Sequence, residues 1–146
     1  MGRTLYQRYK GSGAIFFSGC TLRCCFCQNY RISSAAYGKE ISEQKLARIF
    51  LELQNQDAHN INLVTATQYL PSILNALDLV KNQLKIPIVY NSSGYEKPET
   101  IRLLKGYVDI YLPDLKYFSS ELSRKYSKAE DYFEIASCAI KLMIEQ

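Results

Sequence analysis

Residues 14–29 of the chain read AIFFSGCTLRCCFCQN. The stretch opens with a short apolar run, Ala14 to Phe17, bounded by Gly13 and Gly19, which is typical of a buried β-strand. A loop rich in cysteine follows directly. Ligand sites in parallel sheets gather at the carboxyl ends of the strands, so we expect the chemistry of this chain to begin in this loop.

The loop carries three cysteines, Cys20, Cys24 and Cys27, at CxxxCxxC spacing. Thiolates are the preferred protein ligands of iron–sulfur clusters, so three of them this close together can bind three corners of a cubic cluster. The remaining iron then lacks a protein ligand and is open to a small molecule. A cluster with an open iron can bind and reduce that molecule, which indicates an enzyme and not a simple electron carrier.

A structural zinc site is the main alternative for these cysteines. Such sites usually need four Cys or His ligands, often in two separated pairs. The fourth ligand would have to be Cys25, His59 or Cys138, and ligation by both Cys25 and its neighbour Cys24 is awkward. A disulfide framework is disfavoured, because five cysteines is an odd number and four of them crowd into eight residues. Cys138 lies among apolar residues, which predicts a buried helix position.

The composition is that of a globular protein. The 146 residues are enough to form one core, and no apolar run approaches the length of a membrane span. The net charge of +4 is small and its basic residues are scattered, so neither a membrane nor a nucleic acid is indicated as a partner. The crowded thiols and the absence of a targeting segment favour a reducing cytoplasm.

Short apolar runs alternate with helical repeats along the rest of the chain. The predicted strands are 14–17, 61–64, 86–90 and 108–112, and the predicted helices lie near 42–53, 73–84, 99–104, 119 onward and 132–143. Ser42 and Ser119 are placed to cap helices. Strand–helix units repeated in this way predict an α/β fold with a parallel sheet, right-handed crossovers and helices on the outer face.

Residues with chemical potential follow every predicted strand. The loops that carry them are 20–29, 65–68, 91–94 and 114–116. Each loop alone contains only what loops ordinarily contain. Because the carboxyl ends of parallel strands share one edge of a sheet, the four loops together predict a single site.

These residues resemble those of a known family. The CxxxCxxC array after a first strand, with the aromatic Phe26 just before the third cysteine, resembles the radical S-adenosylmethionine (SAM) enzymes. Within that family the resemblance is stronger to the pyruvate formate-lyase activating enzymes, which install glycyl radicals. The segments that carry it are FFSGC at 16–20, CQN at 27–29, IVYNSSGYE at 88–96 and VDIYLPDLKYF at 108–118.

The resemblance implies a mechanism and its cofactors, a 4Fe–4S cluster and SAM. In that family the open iron chelates the amino and carboxylate groups of SAM. An electron from the reduced cluster cleaves the sulfonium bond, giving methionine and a 5′-deoxyadenosyl radical that abstracts a hydrogen from the substrate. A reductant such as flavodoxin or ferredoxin and a protein substrate are the implied partners. The protein orients the cofactors and excludes water.

The resemblance also implies which residues bind these cofactors. The implied cluster ligands are Cys20, Cys24 and Cys27. Phe26 matches an aromatic residue near the adenine, and Asn29 matches an asparagine that helps to hold SAM. Thr65 and Thr67 lie where most of the family carries a Gly-Gly-Glu motif for the methionine amino group, so hydroxyls or carbonyls would have to substitute there.

The third and fourth strands supply the remaining implied contacts. Asn91 and Ser93 match the third-strand loop of the activases, with Asn91 in place of a carboxylate. Asp114 and Lys116 match an Asp-Leu-Lys segment close to SAM. The alternative for Asp114 and Lys116 is a surface ion pair of little consequence. No side chain is assigned as a catalytic acid or base.

The predicted fold is a partial (β/α) barrel. The family barrel has about six strand–helix units, fewer than the eight of a TIM barrel, and this sequence shows four. We expect an N-terminal extension at 1–12 and a truncated radical SAM core domain at 13–146. A sheet that ends at its fourth strand leaves an unpaired edge and uncovered apolar surface. The alternative functions are therefore a non-catalytic cluster-binding remnant and a small zinc-binding protein.

Overall fold

A computed structural model of the chain describes residues 11–35 and 37–146. In chain order the elements are β1 (Ser12–Phe16), α1 (Tyr30–Ser33), α2 (Glu43–Asn55), β2 (Asn60–Val64), a 3₁₀ turn (Thr67–Tyr69), α3 (Leu70–Val80), β3 (Ile88–Ser92), α4 (Pro98–Leu103), β4 (Ile110–Pro113), α5 (Ser120–Ser127) and α6 (Tyr132–Ile144). None of the helices in these ranges is long and apolar enough to cross a membrane.

The strands form one open parallel sheet in the order β1-β2-β3-β4. Phe16 pairs with Val64, Val64 with Asn91, and Asn91 with Leu112. These pairs lie near the carboxyl end of every strand, so the loops that follow the strands begin at one edge. The predicted α/β fold is confirmed, and the open sheet is consistent with a partial β/α barrel.

The hydrophobic core lies between the sheet and the helices. Phe50 of α2, Ile73 of α3 and Ile101 of α4 are fully buried against Ile61 and Leu63 of β2. Each large apolar side chain buried in this way contributes roughly 1.5–3 kcal/mol. The alternation of buried and partly exposed residues in β2 follows from the two-residue period of a strand, which turns every second side chain to the helices.

The other face of the sheet is open. Phe16, Ile110 and Leu112 point to this side and are about half exposed. Within the described residues β4 pairs with β3 alone, so its other edge has no strand beside it. Part of the expected uncovered apolar surface is therefore present on this side of the sheet.

The predicted helix caps are confirmed. The Ser42 hydroxyl accepts from the backbone N–H of Lys45 at the start of α2, and Ser119 accepts from Leu122 at the start of α5. Both helices therefore begin where a serine satisfies a free N–H of the first turn.

Several predicted boundaries were displaced by local hydrogen bonding. β3 begins at Ile88, after Pro87, which has no N–H to donate. β4 begins at Ile110, because the Asp109 carboxylate accepts from the Ile88 N–H (2.7 Å) in the place of a ladder carbonyl. β3 also runs on to Ser92, so Asn91 lies within the strand and not in the loop that follows.

Two further expectations concern Cys138 and the N-terminal residues. Cys138 was expected to be buried, and this is wrong: it is exposed on α6. The buried face of that helix is formed by Tyr132, Ala136, Ala139 and Met143, and Cys138 is turned away from it. The expected extension at 1–12 falls almost wholly outside the described residues, and Ser12 belongs to β1.

Candidate metal centre and cofactor site

The cysteine loop connects β1 to α1 and carries the three array cysteines. Cys20, Cys24 and Cys27 are partly buried, whereas Cys25 is exposed. A hydrogen bond from the Cys27 N–H to the Cys24 carbonyl (3.2 Å) closes the turn between them. Burial raises the pKa of the Cys20 thiol, the Leu22 N–H lowers it, and nearby Cys24 and Cys27 raise it again. The three sulfur atoms are therefore close enough to influence one another.

A second, smaller core supports this loop. Leu22 is buried together with Ala129, Tyr132 and Ala136, and Cys20 and Cys24 pack against them. The backbone N–H of Arg23 donates to the Ser127 carbonyl (3.2 Å), and that of Cys25 donates to the Tyr126 carbonyl (2.9 Å). The end of α5 thus holds the loop in place. No local pattern in the sequence indicates this contact, because its partners are about a hundred residues apart.

Gln68 ties the cysteine loop to the end of β2. Its carboxamide Nε2 lies within donating distance of the carbonyl oxygens of Ser18 (2.7 Å), Gly19 (3.1 Å) and Thr65 (3.1 Å). Thr65 itself has a positive φ of 57°, which makes the sharp turn after the strand. In the sequence Gln68 lies in a predicted site loop, with no indication of a role for its side chain. The structure shows that it joins the first and second loops.

Glu96 is a buried carboxylate that sequence analysis missed. It is 2% exposed, and its Oε1 accepts from Thr67 Oγ1 (2.7 Å) and from the Tyr90 hydroxyl (3.2 Å). Its Oε2 has no hydrogen-bond partner within the described residues. Burial raises the pKa of Glu96, and the hydroxyls of Thr67, Tyr90 and Ser92 act against that rise. The third loop therefore places a carboxylate beside Thr67, in a chain whose second strand lacks the expected glutamate.

Gly94 brings the third and fourth loops into contact. Its φ is +75°, and a Cβ at this position would lie 2.3 Å from the carbonyl oxygen of Asp114. The backbones approach so closely that only glycine fits. This requirement explains the glycine after Ser93 and sets the distance between the ends of β3 and β4.

Tyr132 of α6 makes hydrogen bonds to the same two loops. It is fully buried, and its hydroxyl lies 2.7 Å from the Ser93 carbonyl and 3.1 Å from the Asp114 carbonyl. It also accepts from the Lys116 N–H (2.9 Å). The hydroxyl of Tyr132 therefore contacts the backbone of three predicted site residues. The sequence indicated only that Tyr132 lines a helix.

Asp114 and Lys116 form an ion pair beside the cysteine loop. Burial lowers the pKa of Lys116, but the Asp114 carboxylate and the nearby Cys24 raise it, and the net shift is upward. Lys116 therefore remains a cation close to Cys24. The pair lies near Cys24, and both of its residues are exposed.

The structure gathers most of the nominated residues but not all of them. The Thr65 N–H donates to the Asn91 carbonyl (3.0 Å), which joins the second and third strands. The ring of Phe26 is exposed and lies 6.5 Å from that of Tyr117 in an edge arrangement. Asn29 is exposed at the start of α1, and its side chain makes no capping hydrogen bond to that helix. Phe26 and Asn29 are thus exposed, whereas the residues after β2 and in and after β3 are partly buried, namely Thr65, Thr67, Asn91 and Ser93.

The donor set of this loop consists of thiols, the protein ligands that iron–sulfur clusters use. All five cysteines are free thiols. Within the part of the chain that the structure describes, no three Cys, His, Asp or Glu side chains form a group suited to one metal ion. In a cubic cluster each thiolate binds a different iron, so its ligands are more widely spaced than those of one ion.

A fourth zinc ligand is also absent from the described residues around this loop. Cys25 and Cys138 are exposed, and His59 precedes β2, at the end of that strand remote from the cysteines.

A model of the radical SAM superfamily matches residues 14–145. The chain belongs to the radical SAM superfamily. A Methanocaldococcus jannaschii protein, itself described as uncharacterized, is 37% identical over 133 residues, which are 85% of this chain and 38% of that protein. The chain therefore spans less than half the length of this relative.

Membership of the radical SAM superfamily gives the geometry a chemical context. Members typically bind a 4Fe–4S cluster and SAM, and the thiols of Cys20, Cys24 and Cys27 are the three donors available for such a cluster. The loops beside them offer a cation at Lys116, hydroxyls at Thr67 and Ser93, and a buried carboxylate at Glu96. These are groups able to bind a zwitterionic amino acid.

Proposed function

We propose that the chain is the cluster- and SAM-binding part of a radical SAM enzyme. In this proposal Cys20, Cys24 and Cys27 hold a 4Fe–4S cluster, and SAM lies against the carboxyl edge of the sheet. When bound, the two cofactors supply reductive cleavage of the sulfonium bond and hydrogen abstraction from a substrate. The observation that supports this best is that three partly buried thiols share the loop after β1, at the edge of the sheet where the loops after all four strands begin.

The proposed SAM contacts differ in the charge that each offers. Lys116, kept cationic by Asp114, is suited to the carboxylate of SAM. Thr67 donates its proton to Glu96, so the Thr67 oxygen is left as an acceptor, which is the polarity that an ammonium group needs. Thr65 lies in the same turn and is proposed to help. This arrangement would replace the Gly-Gly-Glu motif.

The remaining proposed contacts line the same edge. Asn91 and Ser93 offer an amide and a hydroxyl near the ribose side, and Phe26 and Asn29 offer a ring and an amide at the rim. Phe26 is exposed, as a ring that packs on an adenine must be before the nucleoside binds.

The proposed branch is the glycyl-radical activases, with a partner protein as substrate and flavodoxin or ferredoxin as electron donor. The sequence segments at 88–96 and 108–118 support it, and each runs through a strand, β3 or β4, into the loop that follows. We propose a cytoplasmic location because all five cysteines are free thiols. A second candidate, a cluster-binding protein without radical chemistry, is favoured by the threonines that occupy the Gly-Gly-Glu position.

Anaerobic reconstitution with iron and sulfide tests the cluster assignment. We expect about four irons per chain. Cys24→Ala should abolish this loading, while the matched variant Cys25→Ala, one residue away on the same loop, should load fully because Cys25 is exposed. Full loading of the Cys24→Ala protein would contradict the assignment. A colourless wild type that binds one zinc would favour the zinc alternative.

A further inference from the structure

The Cys24 sulfur lies at the end of a chain of hydrogen bonds that starts elsewhere in the fold. Ser127, the last residue of α5, donates from Oγ to Cys24 Sγ over 2.9 Å. The same Oγ lies 2.7 Å from the hydroxyl of Tyr117, which follows β4. Ser127 is 1% exposed, so water does not compete for these contacts.

The direction of donation follows from the chemistry of a bound thiolate. A thiolate on iron has no proton and only accepts, so Ser127 must give its single hydroxyl proton to Cys24. The Ser127 oxygen is then an acceptor, and Tyr117 must donate to it. Hydrogen bonds that run in one direction polarise one another, which strengthens the last bond, the one to sulfur.

The other two sulfurs have weaker or less enclosed donors. Ser33 lies 3.2 Å from Cys27 Sγ on the short, partly exposed α1. Cys20 receives the backbone N–H of Leu22, which side-chain substitution cannot remove. The contact to Cys24 is therefore the shortest side-chain hydrogen bond to a thiol in the site and the only one of these with a second hydroxyl behind it.

We propose that Ser127, oriented by Tyr117, is a positioning residue that raises the reduction potential of the cluster at its Cys24 corner. This inference rests on the proposed function. Hydrogen bonds to the sulfurs are among the features that set the potential of an iron–sulfur cluster. A donor at the sulfur stabilises the more negative, reduced form, so its removal makes the cluster harder to reduce.

The test is a redox titration of the reconstituted protein, followed by electron paramagnetic resonance of the reduced cluster. We expect a more negative midpoint potential in Ser127→Ala and a smaller negative shift in Tyr117→Phe. Ser123→Ala is the matched control, because Ser123 is on the same helix, is 0% exposed, and donates to the Ser120 carbonyl. Its potential should equal that of the wild type.

The outcomes separate this inference from the proposed function. Wild-type potential in Ser127→Ala, or an equal shift in Ser123→Ala, would overturn the role of Ser127 and leave the cluster assignment standing. If Ser127→Ala takes up no iron, Tyr117→Phe decides, since a negative shift in it supports the inference and an unchanged potential overturns it. A wild type that assembles no cluster would overturn both.

Discussion

The helix-covered side of the sheet and its carboxyl edge are built from different kinds of contact. On the covered side, Phe50, Ile73 and Ile101 pack on Ile61 and Leu63 through apolar surface alone. At the carboxyl edge, a small core under the cysteine loop is joined by hydroxyls, a buried carboxylate and an ion pair. The first region stabilises the fold, and the second positions chemical groups. Substitutions should therefore separate stability from cofactor binding.

The largest effect on stability is expected in the covered core. Phe50→Ala removes a ring that is 0% exposed, and such changes cost about 3–5 kcal/mol in transfer and cavity terms. Urea unfolding of the metal-free protein measures it. Cys24→Ala in the same assay should cost under about 1.5 kcal/mol, because it removes one partly buried atom and leaves the apolar core intact. Equal losses would contradict this separation of the two regions.

Substitution of Gly94 tests how far the stability of the carboxyl edge depends on the close backbone contact between its third and fourth loops. Gly94→Ala should cost roughly 2–5 kcal/mol, because it adds a left-handed penalty to a clash with the Asp114 carbonyl. Gly106→Ala is the control, since Gly106 has a similar φ of +81° with no atom within 4 Å of a built Cβ. It should cost only about 1–2 kcal/mol. Thermal or urea unfolding compares them, and equal costs would remove the packing argument.

The Asp114–Lys116 pair should affect ligand binding more than stability. Loss of a contact to a charged ligand group costs on the order of 1.5–3 kcal/mol, which is roughly a ten- to hundredfold loss of SAM affinity. Calorimetric titration of SAM into Asp114→Ala and Lys116→Ala measures this. The exposed Glu99–Arg102 pair on α4 is the control, and Arg102→Ala should leave affinity unchanged. Wild-type affinity in both site variants would identify a surface pair of little consequence.

The free energy of unfolding should depend on pH through the titration of Glu96. Burial raises its pKa, so the folded state favours the neutral carboxyl. Its stabilising contribution is complete below the ordinary value of 4.5 and is lost as the pH rises through the raised value. In Glu96→Gln this loss should disappear. Unfolding free energies between about pH 4 and pH 8 compare the two proteins, and parallel curves would contradict the shift.

The fold was largely predictable because its signals are local. The run Ile61 to Val64 shows its strand period within four residues, and Ser42 indicates the start of α2 by itself. The strand boundaries that were predicted wrongly depend on contacts between residues far apart in the chain. One example is the Asp109 carboxylate, which accepts a hydrogen bond in the place of a ladder carbonyl. The exposure of Cys138 depends on which face of α6 meets the core, and apolar neighbours alone do not determine that.

The site was less predictable because its decisive contacts cross the chain. The cysteine spacing identified the cluster loop, but Ser127 reaches Cys24 over 103 residues and carries no local motif. Nothing in the local sequence distinguishes Gln68 and Glu96 from ordinary loop residues. The turns after β2 and β3 place them beside Gly19 and Thr67. Long-range contacts of this kind cannot be read from periodicity.

The most direct test of the account is whether SAM binds the cluster held by Cys20, Cys24 and Cys27. Electron paramagnetic resonance of the reduced, reconstituted protein is recorded with and without saturating SAM. We expect the spectrum to change, because the iron without a protein ligand gains ligands from SAM. Lys116→Ala should require more SAM for the same change. An unchanged spectrum in a fully loaded wild-type protein would contradict the proposal of radical chemistry and leave a cluster-binding protein.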